Sequence, residues 1–195
     1  MATKRKEYRL RGGDIIDREE FPDIRHGAPG GKRLEKKKPT KEDMQKVNAA
    51  NKERRARQRL LEYFNPGDVW ATWTYLVEER PASMAAAVDD FGRAMRIVRR
   101  EYKKRNRELF WIRNIEKGTK GAWHIHIIVN EIGDTASIIQ KAWKKGGTWF
   151  TEIRKSKFYD EDFSKLSNYI TKDENTQEKK KDGSLAKPRI AESSY

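Results

Sequence analysis

The stretch Trp123-His124-Ile125-His126-Ile127-Ile128-Val129 holds two of the chain's three histidines within three residues. On a β-strand, side chains alternate between faces, so His124 and His126 share one face while Ile125 and Ile127 point to the other. Two imidazoles spaced i and i+2 stand about 6 to 7 Å apart, close enough to converge on one ion. Imidazole binds transition metals, and a mixed imidazole and carboxylate set also accepts manganese or magnesium. The plainer alternative is two half-exposed histidines on a wet strand face. The apolar residues between and after them argue for a central strand rather than a polar edge.

A carboxylate can be placed beside the pair. Lys117-Gly118-Thr119-Lys120-Gly121 is a short connection between two apolar runs and predicts an antiparallel hairpin. If Glu116 lies opposite His124, then Glu116 and Asn114 share the histidine face. A slip of one residue would send them to the other face. The alternative for Glu116 is an ion pair with Lys117 or Lys120 at the hairpin end. Downstream, Tyr169 and Lys172 stand three residues apart in an expected helix and so on one face. A phenol, with a pKa near about 10, becomes a nucleophile when a neighbouring ammonium and a metal-polarised phosphate help it lose its proton. Such a pair is also common on amphipathic helices. Tyr159 is the substitute nucleophile, although it precedes that helix and has no lysine three residues on.

The surrounding elements are legible by pattern. Strands are expected over residues 69–77, 108–116, 122–130 and 147–154, and helices over 83–105, 134–145 and 160–173. The order βαββαβα implies an α+β fold, an antiparallel β-sheet with helices packed on one face. Before it, Thr40 followed by Glu42 and Asp43 predicts the start of a helix over 41–64, ended by Asn65-Pro66-Gly67. Its Arg54, Arg55, Arg57 and Arg59 form a basic band, either facing DNA or simply solvated. Residues 1–40, with Gly12-Gly13 and Gly27-Ala28-Pro29-Gly30-Gly31, read as a flexible basic arm. Residues 176–195 read as a polar tail with a short strand at 190–195.

The net charge is +14, and its distribution is uneven. Residues 1–60 hold 19 Lys and Arg against 10 Asp and Glu, a surplus of 9, leaving a surplus of 5 for the rest. Such a field points to a polyanion, nucleic acid before a membrane surface. With no cysteine, disulfides, thiolate metal sites and cysteine nucleophiles are excluded. No apolar leader, no run of about 18 apolar residues and no GxxxxGK[ST] phosphate loop occur, which points to a cytoplasmic protein without its own P-loop ATPase. Six tryptophans, at 70, 73, 111, 123, 143 and 149, serve the core or stack unpaired bases. One or two are expected to meet DNA.

His-hydrophobe-His on a strand, a carboxylate on the preceding strand and Tyr-x-x-Lys on a later helix resemble the HUH endonucleases. The tyrosine follows the histidines here, an order similar to the single-tyrosine rolling-circle replication initiator (Rep) branch. Trp70–Leu76 is also similar to that branch's first motif, and the resemblance spans about residues 65–175. It implies an HUH/RRM-like palm with helices on its faces, to which a basic N-terminal extension is added. It further implies His124, His126 and Glu116 as ligands of Mn²⁺ or Mg²⁺, Tyr169 as nucleophile and Lys172 as its electrostatic helper. The implied reaction nicks and rejoins single-stranded DNA at an origin, which can be a hairpin, through a 5′-phosphotyrosine. A host helicase and polymerase would act in trans on a plasmid, phage or mobile element in a bacterial host. Two other readings remain. One is a single-tyrosine HUH transposase, and the other a non-catalytic, RRM-like nucleic-acid-binding module.

Overall fold

The computed structural model of the 195-residue chain describes residues 3–22, 38–118, 121–171 and 192–193. Its centre is a five-stranded antiparallel sheet of β3 (Val69–Thr74), β4 (Trp111–Lys117), β5 (Trp123–Val129), β6 (Thr148–Glu152) and β7 (Glu192–Ser193). The strands lie in the order β6-β3-β5-β4-β7, so the histidine strand β5 is central. Helices α2 (Met84–Lys104), α3 (Thr135–Ala142) and α4 (Ser164–Thr171) complete the expected βαββαβα order, an α+β fold. The Ser83 hydroxyl accepts from the Ala86 amide and starts α2 one residue into the range expected from sequence.

The alternation along β5 divides the molecule. Ile125, Ile127 and Val129 join Ala71 and Trp73 of β3 beneath α2 and α3, where Phe91, Val98, Ile138 and Ile139 meet them. Trp73 stacks on Trp143 with ring centroids 4.9 Å apart. Each such aliphatic side chain, once buried, contributes about 1.5–3 kcal/mol, and this layer is the main core. On the opposite face Trp70, Ile112 and Ile128 pack against Leu60 and Phe64 of α1 (Lys41–Tyr63) and Leu166 and Ile170 of α4. Helices therefore cover both faces. The expectation of one helical face is corrected by α1, which packs on α4 and brings a second apolar layer from outside the βαββαβα unit.

The arm expected over residues 1–40 is also corrected in its first half. Residues 3–22 fold as a hairpin of β1 (Thr3–Leu10) and β2 (Ile15–Pro22), while 23–37 lie outside the described residues. Gly12 and Gly13 provide the turn at φ of 65° and 110°, backbone conformations that side chains disfavour. Charge, more than apolar packing, ties the hairpin to α1. Arg54 reaches Glu19 at 2.8 Å, Arg57 pairs with the buried Asp17, and Gln58 donates to the same carboxylate at 2.9 Å. At the turn the Arg11 guanidinium donates to the Leu61 carbonyl at 2.6 Å and to Asn65 Oδ1 at 2.9 Å. Two arginines of the basic band thus face acids of the chain itself. Helix α1 starts where sequence placed it, with Thr40 and Asp43 forming a reciprocal capping box. No helix among the described residues is long and apolar enough to cross a membrane. Apart from Glu192–Ser193, which pair with β4, the polar tail falls outside the described residues.

Candidate functional site

Register assembles the site. Glu116 lies opposite His124, and Asn114 opposite His126, as the hairpin reading required. Thr72 and Thr74 of β3 flank the same two histidines from the other side. All of these residues project from the face away from α2 and α3. Helix α4 crosses that face and brings Tyr169 down onto it. The Tyr169 hydroxyl donates to Glu116 Oε1 at 3.2 Å and stands 3.3 Å from His126 Nε2. Nε2 of His126 also contacts Glu116 Oε1 directly. Among the alternatives for Glu116, pairing with Lys117 is not what forms, since the Lys117 ammonium sits over the Trp123 ring, 5.4 Å from its centroid. Lys120 is outside the described residues.

Two contacts that sequence did not single out hold this arrangement. Thr72 Oγ1 lies 2.9 Å from His126 Nδ1. That bond fixes the ring's rotation, and when Nδ1 carries the proton it leaves the Nε2 lone pair aimed at Glu116 and Tyr169. Phe158, from the segment before α4, stacks on the Tyr169 ring at 3.9 Å, and Trp70 leans on it at 5.4 Å. Thr72 was recoverable in principle, because the strand after Asp68 had to pair with the histidine strand. Phe158 lies in an irregular stretch with no periodicity to flag it. Tyr159, the substitute nucleophile, turns its ring toward Phe163 at 6.0 Å and shows no bond to Glu116 or His126 among the described residues. Lys172 lies just past the last described residue of α4, outside the described residues.

The electrostatics follow from burial and these contacts. The hydrogen bond from His126 holds the Glu116 carboxyl below its usual pKa despite partial burial. Burial pushes the His124 imidazole down, with His126 reinforcing the shift, so His124 favours its neutral, ligating form. Burial, followed by the charge of Glu116, pushes the Tyr169 phenol well above its ordinary value. At rest the phenol therefore keeps its proton.

The donor set fits a divalent ion in part. His126 Nε2 and Glu116 Oε1 point two acceptors at each other, an arrangement that only a proton or a cation can reconcile. Asn114 is buried beside them with neither amide atom hydrogen-bonded among the described residues. His124 shares the face, and its ring lies over Gly118, where a Cβ would come within 3.0 Å of Cε1. No three His, Asp or Glu side chains among the described residues are already drawn together as a closed metal cage. The structure thus joins Glu116, His126 and Tyr169 and holds His124 nearby.

Tyr169 separates two clefts. One, of about 440 Å³, is lined by Trp70, His126, Trp149, Lys157 and Phe158; the other, of about 350 Å³, by Glu53, Lys165 and Asn168. A half-buried nucleophile between two basic-lipped clefts, beside a carboxylate and imidazole, is the arrangement of a site that works on an extended polyanion. Residues 68–174, more than half of the chain, match the family model of the replication-associated protein ORF2, and the chain belongs to that family of rolling-circle replication initiators. The matched segment runs from β3 through α4 and so contains every residue of the site. No curated protein and no solved structure matches the chain. Membership bears out the resemblance to replication initiators and the expectation that the protein acts on DNA at an origin.

Proposed function

We propose that the protein nicks single-stranded DNA at a replication origin and later rejoins it, with Tyr169 as the nucleophile of an HUH-type endonuclease. One observation carries the reading: the Tyr169 hydroxyl lies 3.2 Å from Glu116 and 3.3 Å from His126 on the central strand. Tyr169 Oη attacks the scissile phosphorus and forms a new O–P bond. The 3′ oxygen leaves, takes up a proton and becomes a free 3′-hydroxyl. The phenol's proton passes to the acceptor it already faces, the Glu116 carboxylate, or to His126 beside it. The protein stays joined to the 5′ end, and the phosphotyrosine conserves bond energy, so rejoining needs no ATP.

Glu116, His126 and His124 would hold a divalent cation, Mn²⁺ or Mg²⁺, with Asn114 completing the polar surroundings. Such an ion, when bound, supplies positive charge against the non-bridging phosphate oxygens. Thr72 keeps the His126 lone pair directed inward, and Phe158 and Trp70 restrict the Tyr169 ring to one approach. Lys172 follows α4 directly in sequence and is the proposed electrostatic helper. The free 3′-hydroxyl would prime a polymerase supplied in trans, with a helicase also in trans, on a plasmid, phage or mobile element in the cytoplasm of a bacterial host.

The test is incubation with Mn²⁺ and a labelled pool of single-stranded oligonucleotides, beside Tyr169→Phe. An EDTA-sensitive, denaturant-resistant protein–DNA adduct that vanishes in the variant supports the reading. Salt-dependent binding without any adduct would replace it with a non-catalytic binding module.

A further inference from the structure

The six tryptophans divide sharply. Five are at most 8% exposed, whereas Trp149 is 72% exposed. It sits on β6, at the edge of the sheet among the described residues, opposite Thr72 and therefore on the face that carries the histidines. It lines the cleft that also contains Tyr169, His126 and Lys157. The other aromatic rings there are engaged with one another: Trp70 with Phe158 at 5.4 Å, and Phe158 with Tyr169 at 3.9 Å. Trp149 has no ring partner among the described residues. A large aromatic plane is thus left open to solvent at the mouth of the cleft beside the nucleophile.

We infer that Trp149 is the platform on which one unpaired nucleobase of the substrate strand stacks, next to the phosphate presented to Tyr169. This inference rests on the proposed nicking site for its location and adds to it a base-binding position. Chemistry favours a base. Every nucleobase has a π face, so an exposed indole contributes sequence-tolerant affinity wherever the strand is unpaired. Lys157, whose ammonium lies 5.0 Å from the Phe158 ring centroid at the same cleft, offers positive charge to the adjoining phosphate. A cleft of about 440 Å³ lies within the usual size of sites that enclose a small planar group. A second copy of the chain is a poorer occupant. Strand β6 is only 5 residues long and is followed by Glu152, Arg154 and Lys155 in mutual ion pairs, a short and charged edge of the kind that resists strand pairing.

The experiment uses the full chain carrying Tyr169→Phe, without added metal, so that binding is read apart from chemistry. A fluorescein-labelled 20-residue oligothymidylate is titrated by anisotropy against this protein and against the same protein with Trp149→Ala or Trp149→Phe. Loss of one stacked base weakens binding by roughly 5- to 150-fold in Trp149→Ala. Trp149→Phe retains most of the affinity, and the slope of affinity against salt stays constant because no phosphate contact is lost. An oligonucleotide of abasic sugar-phosphate residues binds all three proteins alike. Equal affinity of Trp149→Ala and its parent for oligothymidylate overturns the inference, as does an equal loss for the abasic strand. Sedimentation of the parent as a dimer that Trp149→Ala dissociates, with DNA affinity intact, also overturns it and assigns the edge to self-association. These outcomes are independent of adduct formation: absence of an adduct in the wild-type chain defeats the nicking proposal and leaves the affinity result standing.

Discussion

The two faces of the central sheet are built from the same strands to opposite ends. Beneath α2 and α3, alternate residues of β3 and β5 are aromatic or aliphatic and sealed, with Trp73, Ile125 and Ile127 fully buried. One residue along on each strand, the face turns to Thr72, Thr74, His124 and His126, and α1 and α4 cover only part of it. A period of two lets one strand serve stability and chemistry at once, because the two sets of side chains never meet. The closed face holds β5 still, and the open face uses that stillness to keep His126 beside Glu116 and Tyr169.

Substitutions on the two faces should therefore fail differently. Tyr169→Phe is expected to lower adduct formation by roughly 10³-fold or more while thermal unfolding stays near that of the parent, checked by gel assay and calorimetry. Glu116→Gln keeps the shape but removes the charge, and its adduct rate should fall by roughly 10²-fold, with a shifted dependence on Mn²⁺ concentration. Ile125→Ala lies between the two histidines in sequence and on the other face in space. It should cost about 2–5 kcal/mol of stability in denaturant titration while leaving the adduct rate, measured well below its melting temperature, within a few fold of the parent. A large loss of rate in that well-folded variant would break the separation of faces. Thr72→Val, which removes only the hydroxyl that orients His126, is the mildest, with roughly a 10-fold loss recovered by Thr72→Ser.

Much of this was legible beforehand because alternation is a strong signal. The His-Ile-His strand, its central position and the pairing of Glu116 with His124 all follow from apolar period and a short glycine-bearing hairpin. The capping box at Thr40 and Asp43 was equally plain. What escaped was whatever charge rather than apolar pattern determines. The β1–β2 hairpin shows little hydrophobic period, and its stability depends on acids such as Asp17 and Glu19 meeting Arg57 and Arg54 some 35 to 40 residues away. No local rule reveals that pairing. Phe158 escaped for a related reason: its position under Tyr169 is set by how an irregular segment packs against Trp70. The exposure of Trp149 also depends on tertiary context, since nothing in Thr148-Trp149-Phe150 distinguishes an edge strand from an inner one.

The central claim is that Tyr169, and no other side chain, becomes joined to the 5′ phosphate. The most direct measurement is mass spectrometry of the protein–DNA adduct after nuclease and protease digestion. The account predicts a nucleotide-bearing peptide whose fragment ions place the added phosphate on Tyr169. A modified Tyr159, or any other residue carrying the phosphate while Tyr169 is unmodified, would contradict it.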